Sequence, residues 1–245
     1  MTQRLDLTLV AKFPQLQTNF DTEADSFLDL LARMRKIPAF NVEWTAQWNE
    51  HERPISLQAR KDEFLEKFRE ANRNMEGMNQ IWVNEASERL YDFDYTWWDS
   101  DSGVQQPTML SGEIYKSRPA IKIDAQSGAD LLDIITRWRR PHHIRFGPMH
   151  YYMDQHPLDR SREGIGWMGW VPFSLAPAEV PEAEIVQPMN GGTLIVPQST
   201  LWQAVEGHPS YSKEGIERAQ EVEIRLNILG VIPTSMDLDR GGWGQ

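Results

Sequence analysis

The segment 91–98, YDFDYTWW, constrains the fold more than any other stretch, because large rings and polar side chains alternate along it. Successive side chains of a β-strand point to opposite faces, so this period of two predicts a strand. We expect the face that carries the rings to turn inward and pack in a core. The inward residues are Tyr91, Phe93, Tyr95 and Trp97, and the outward residues are Asp92, Asp94, Thr96 and Trp98.

Strand and helix periods follow one another irregularly along the rest of the chain. Alternation predicts further strands at 5–9, 110–115, 120–124, 144–153, 166–173 and 193–196, with a hairpin turn at 190–192. Apolar residues spaced three to four apart predict helices that begin near 21, 57, 127 and 213, whereas the segment 40–48 fits both periods. The sequence has no Gly-rich phosphate loop and no βαβ period. The predicted fold is therefore α+β, with a mainly antiparallel sheet and several packed helices in a single compact domain over 1–245.

Composition narrows the classes of partner. The chain has 25 Lys and Arg residues against 36 Asp and Glu residues, which gives a net charge of −11. This charge disfavours direct binding of nucleic acid or anionic membranes and favours a basic protein partner. Cysteine is absent, which excludes disulfides, thiolate catalysis and cysteine-bound metals. No apolar run approaches the roughly 18 residues of a membrane span, and the first residues lack the apolar core of a signal peptide, so we expect a cytoplasmic protein.

A histidine-rich segment suggests an alternative function. Four of the six histidines lie within PHHIRFGPMHYYMDQH, at 141–156. On a strand, His150, Asp154 and His156 would share one face, and imidazole and carboxylate are suitable ligands for zinc or non-haem iron. The spacing does not match an H-E-x-x-H motif. A metal-dependent hydrolase that uses this region is the alternative hypothesis.

The outward face of the 91–98 strand is the main candidate binding surface. Between Glu85 and Asp101 the chain has six acidic residues and one basic residue, Arg89. A tryptophan among carboxylates is typical of a hot spot for a cationic protein, because the ring supplies contact area while the acids steer the partner. Paired acids beside rings also occur in glycosidases and carbohydrate-binding modules, which are further alternatives. The candidate contact residues are Asp92, Asp94, Tyr95, Trp98, Asp99 and Asp101.

Two short motifs and the C-terminal region resemble a known family. YTWWD at 95–99 fits a Y-x-x-x-D motif, and WMG at 167–169 fits a W-x-G motif. The stretches NGGTLIVPQSTLW and RAQEVEIRLNILGVIP resemble the terminal hairpin and helix of the same family. Together these features resemble the Immunity protein 52 family of bacterial polymorphic-toxin systems, which includes immunity proteins linked to type VI secretion.

The resemblance implies a function by binding. Members of the family are α+β proteins without catalytic activity or cofactor, and each neutralises a nuclease toxin with a restriction-endonuclease-like fold. The motif positions fall here on Tyr95, Asp99, Trp167 and Gly169. We interpret Trp167 and Gly169 as structural, because a Trp-x-Gly on an apolar strand usually belongs to the core.

Overall fold

A ten-stranded sheet organises the computed structural model, which describes residues 5–15, 18–48, 51–75, 77–86, 91–98, 106–116 and 123–244. The strands are β1 (Leu5–Phe13), β2 (Trp44–Ala46), β3 (Ile55–Ser56), β4 (Met78–Glu85), β5 (Tyr91–Trp98), β6 (Thr108–Lys116), β7 (His143–Pro148), β8 (Met168–Val171), β9 (Ile185–Met189) and β10 (Gly192–Val196). Their order is β3-β2-β4-β5-β6-β1-β7-β8-β10-β9, and neighbouring strands pair antiparallel. This sheet, together with its helices, confirms the predicted α+β class.

Side-chain caps mark the start of every helix named below except the second, which has none. The helices are α1 (Phe20–Met34), α2 (Lys61–Asn72), α3 (Ala125–Trp138), α4 (Lys213–Ile228) and α5 (Ser235–Asp239). Asn19 caps α1 by accepting from the amide of Thr22, and Asp124 caps α3 by accepting from the amide of Ser127. Helix α1 therefore begins at Phe20, close to the start predicted near 21, and α3 begins at Ala125, slightly before the start predicted near 127. Among the described residues, no helix is both long and apolar enough to cross a bilayer.

The aromatic face of β5 lies in the core, as predicted. All four of its rings are at most 1% exposed. The ring of Tyr95 stacks on Phe27 of α1 with centroids 5.4 Å apart, and the edge of Trp138 of α3 meets it at 5.3 Å. Helices α1 and α3 therefore cover this face of the sheet. Large rings of this kind contribute much of the burial in a protein core.

A buried carboxylate joins helix α1 to this aromatic face. Glu23, which is 3% exposed, accepts a hydrogen bond of 2.5 Å from the hydroxyl of Tyr95. Arg139, just after α3, pairs with the same carboxylate at 2.9 Å and also donates to the Tyr95 oxygen. Burial raises the pKa of Tyr95, so the hydroxyl remains protonated. The buried charge thus has both a cation and a neutral donor, as a stable buried ion pair requires.

Several predicted strand boundaries were wrong. The strand predicted over 144–153 ends at Pro148, and 151–155 form a π-helical turn. Pro148 is the last residue of β7 that pairs with β1, opposite Leu7, and proline has no N–H to extend the ladder. The strand predicted at 166–173 shortens to β8, and the ambiguous segment 40–48 contains β2. Most of the strand predicted at 120–124 lies outside the described residues.

We expect Glu23→Gln to lower the free energy of unfolding by about 3 kcal/mol, because it leaves Arg139 as a partly buried charge without its counter-ion. Asp25→Asn is the matched control: it removes a carboxylate of the same helix whose ion pair with Lys61 is exposed, and should cost less than about 1 kcal/mol. Urea denaturation followed by tryptophan fluorescence measures both changes. Equal losses in the two variants would contradict a structural role for the Glu23 network.

Candidate functional site

The sheet face opposite α1 carries a shallow groove of about 440 Å³ that spans four neighbouring strands. We call this surface the open face. Its side chains alternate with the core residues of β4, β5, β6 and β1, and all of them are partly exposed. They are Gln80, Trp82, Asn84, Asp92, Asp94, Thr96, Met109, Ser111, Glu113 and Thr8. Trp82 also packs edge-on against Phe68 of α2, with ring centroids 4.6 Å apart.

Neighbouring polar side chains hold the two aspartates of β5 in place. Asn84 donates to Asp92 at 2.5 Å from the adjacent strand β4. Gln80 donates to one oxygen of Asp94, and Thr96 donates to the other at 2.8 Å. Burial raises the pKa of Asp94, whereas the hydrogen bonds from Thr96 and Gln80 act in the opposite direction. Both carboxylates are therefore positioned by the sheet itself.

Register places like charges opposite one another on the open face. Asp92 of β5 pairs directly with Glu113 of β6, and Asp94 pairs with Ser111 in the next outward row. Acidic residues directly opposite one another in an antiparallel pair destabilise the sheet. The open face therefore concentrates negative charge at a cost to stability.

The predicted contact residues divide into three groups. Asp92 and Asp94 line the groove, and Trp98 lies half-buried at the end of β5 opposite Met78. Tyr95 lies on the covered face with no exposure, so it is not available for contact. Asp99 and Asp101 lie outside the described residues.

Sequence reasoning missed the contributions of β4 and β6. Trp82 and Glu113 reach the groove because their strands flank β5. The alternation in NQIWVNE at 79–85 indicates an outward face, but only register places that face beside Asp92 and Asp94. Glu113 lies on the strand predicted at 110–115, so a search for its outward residues would have suggested it, whereas no strand was predicted at 78–85 and Trp82 was missed with it.

The predicted shared face of His150, Asp154 and His156 was wrong, because these residues lie on or beside the helical turn rather than on a strand. His150 faces Asp154 with Nδ1 and Oδ2 3.4 Å apart, whereas His156 bonds at 2.8 Å to Glu223 of α4. Within the described ranges, no group of three or more His, Asp or Glu side chains is placed to hold a metal ion. The geometry therefore provides no metal centre for the hydrolase alternative in this part of the chain.

Trp167 and Gly169 lie in the core. Trp167 has no exposure and its ring meets Phe146 of β7 at 5.5 Å. A Cβ atom at Gly169 would lie 2.7 Å from the carbonyl oxygen of Ile144 and from Ile165, so only glycine fits there without a shift. Trp167 and Gly169 therefore both pack against β7, which neighbours β8 in the sheet.

A second buried carboxylate, Glu223 of α4, joins this helix to the segment between β7 and β8. It accepts hydrogen bonds from Tyr151 at 2.8 Å, from His156 at 2.8 Å, and from the amides of Ile165 and Gly166 at 2.7 and 3.0 Å. Burial lowers the pKa of His156, but the hydrogen bond and the charge of Glu223 outweigh burial and raise it overall. Folding therefore shifts the imidazole towards its protonated form.

We expect the stabilising effect of His156 to fall as pH rises. Because its folded pKa is raised above the unfolded value of about 6.5, its contribution is fully present below that pH and is lost as pH rises through the folded pKa. The difference in free energy of unfolding between the wild type and His156→Gln should therefore shrink from about pH 6 to about pH 8. The control, His150→Gln, removes a more exposed histidine, and urea denaturation at each pH measures both. A constant difference across this range would contradict the assignment.

Comparison with known proteins gives a structural likeness. No protein-family model matches the chain, and no curated protein sequence matches it. A solved structure described as Pseudomonas aeruginosa T6SS protein PA0821 aligns with a TM-score of 0.56 over 90% of this chain and 73% of that one. The two sequences are 12% identical, so the likeness concerns the fold. The chain thus has a fold similar to that of a type VI secretion system protein.

Proposed function

We propose that the protein is an immunity protein, which binds and neutralises a nuclease toxin delivered between bacteria and catalyses no reaction itself. The observation that carries the proposal is the open face, where the positioned carboxylates of β5 and β6 line a partly exposed groove whose lining includes no residue of a described helix. An arrangement that costs stability is expected where it serves binding.

The charge of the open face suits a nuclease as partner. A nuclease presents Lys and Arg side chains to the phosphates of its substrate. A protein of net charge −11 attracts such a groove, and a local acidic cluster orients the encounter. Fast association is needed because a toxin acts as soon as it enters the cell.

The open face also has the anatomy of a protein-binding surface. Trp82 and Met109 supply apolar area between the carboxylates, and Trp98 extends it at the end of β5. Aromatic anchors surrounded by polar groups are typical of interface hot spots. Because Asn84, Gln80 and Thr96 already hold the acids, little side-chain entropy would be lost on binding.

The fold likeness supports the same reading. The similar structure is named as a type VI secretion system protein, and the Immunity protein 52 family that the sequence resembles includes immunity proteins linked to type VI secretion. The resemblance of the YTWWD, WMG and C-terminal stretches to immunity proteins adds to this support.

The direct test is protection. The toxin domain encoded beside the gene should kill cells when produced alone, and coexpression of this protein should restore growth. Purified toxin and protein should form a complex of fixed stoichiometry, and nuclease activity should fall to zero at that ratio. Killing that persists on coexpression, or turnover of a substrate by the isolated protein, would contradict the proposal.

We expect the double variant Asp92→Asn/Glu113→Gln to bind the toxin more slowly without loss of fold stability. Removing the two facing acids should lower the association rate by about three- to tenfold at low salt and flatten its salt dependence. The free energy of unfolding should stay constant or rise by about 0.5 kcal/mol, because like charges no longer face each other. Stopped-flow fluorescence and urea denaturation measure the two effects.

The matched control is Asp25→Asn/Asp29→Asn, which removes the same charge from the exposed side of α1. Its association rate should stay close to that of the wild type. If both double variants slow association equally, overall charge rather than the open face steers the toxin. If neither does, the toxin binds elsewhere.

A further inference from the structure

A second groove, of about 560 Å³, lies beside β7 and is lined mainly by basic rather than acidic side chains. We call it the basic groove. It is lined by Arg145, Tyr152, Met153, Asp154, His156, Leu158, Arg160 and Arg162. Three arginines thus line one groove in a protein of net charge −11, and Asp154, which faces His150, is the one carboxylate among these lining residues. Two further carboxylates face the arginines from outside the lining: Glu163 lies beside Arg145, and Asp159 pairs with Arg162.

Arg145 is held rigidly at the base of this groove. Its guanidinium lies over the ring of Tyr152, 4.4 Å from the ring centroid. Its Nε atom lies 3.6 Å from Glu163, and that carboxylate also accepts a hydrogen bond of 2.6 Å from Lys12. Glu163 therefore shares its charge between two cations and does not neutralise Arg145 completely.

Tyr152 supports Arg145 through its ring. The hydroxyl oxygen is out of reach of solvent and lies against Gly166, where a Cβ atom would clash with it. Burial raises the pKa of Tyr152, which keeps this hydroxyl protonated. A ligand in the groove would therefore meet the Arg145 guanidinium, with the Tyr152 ring beneath it, and not the hydroxyl.

The remaining arginines lie on the rim. Arg162 pairs with Asp159 at 3.3 Å, but both side chains are partly exposed, so that ion pair is weak and can exchange for a stronger acceptor. Arg160 is exposed on the same segment. Arginine suits phosphate because its planar fork donates two parallel hydrogen bonds to two oxygens.

We propose that the basic groove is a binding site for a phosphoryl group, either free phosphate or the monoester of a small molecule. Arg145, supported by the Tyr152 ring, forms its floor, and Arg160 and Arg162 bind the anion from the rim. The site is separate from the open face and does not depend on the proposed function.

The test titrates the full-length protein with inorganic phosphate and with adenosine 5′-monophosphate, followed by calorimetry and by the fluorescence of its tryptophans. At least one probe should saturate a single site, and added salt should weaken its binding. Tighter binding of phosphate identifies a free anion as the ligand, and tighter binding of the nucleotide identifies a monoester. Absence of saturation with both probes would overturn the proposal.

Variants locate the site. Arg160→Gln/Arg162→Gln should weaken binding by at least about tenfold, since two charge-assisted hydrogen bonds are lost. Arg33→Gln/Arg35→Gln, which removes two arginines at the end of α1, is the matched control and should bind as the wild type does. Equal weakening in the two double variants would mean diffuse electrostatic attraction and would overturn the assignment.

Tyr152→Phe tests which part of Tyr152 the site uses. The variant keeps the ring beneath Arg145 and removes a hydroxyl that solvent does not reach, so anion binding should match that of the wild type. A clear loss of binding in this variant would show that the ligand reaches the hydroxyl and would contradict the arrangement.

Discussion

The packing of the β5 rings against α1 is the constraint on which the rest of the structure depends. Tyr95 stacks on Phe27 and donates to Glu23, so the strand cannot slide without exposing its rings. A shift of one residue would turn every ring to solvent and bring Asp92 and Asp94 into the core. The aromatic face therefore determines where the acidic face lies, and the open face is a consequence of the core rather than an independent feature.

Each half of the molecule has a buried carboxylate that joins a helix to the rest of the core. Glu23 on α1 accepts from Tyr95 and Arg139, and Glu223 on α4 accepts from Tyr151, His156 and two backbone amides. Each helix thus inserts one fully bonded carboxylate among aromatic residues. Removing one partner from such a network leaves a buried group unsatisfied, so each network favours a single packing of its helix. The two helices secure opposite halves of a long sheet whose central strands carry the open face.

Local patterns predicted local structure, and long-range pairing accounts for what they missed. The alternation in β5, the Asn190-Gly191 turn and the apolar stripe of α4 each lie within a short window, and each was predicted from the sequence. The end of β7 at Pro148 depends on pairing with β1, which periodicity cannot show. The meeting of Asp92 with Glu113 likewise depends on the register of β5 with β6, so the acidic face of β5 and the strand at 110–115 were predicted but the pairing that brings Glu113 to the site was not.

The sheet carries acidic side chains on β5 and a basic side chain on β7. Asp94, Ser111, Val10 and Arg145 form one continuous row across β5, β6, β1 and β7, and three strand spacings of about 4.8 Å separate the acid from the arginine by about 14 Å. This separation exceeds the Debye length of about 8 Å at physiological salt, so an approaching ion responds mainly to the nearer end. The acidic end can therefore steer a cationic protein without cancellation by Arg145, and the basic groove can hold an anion despite a net charge of −11.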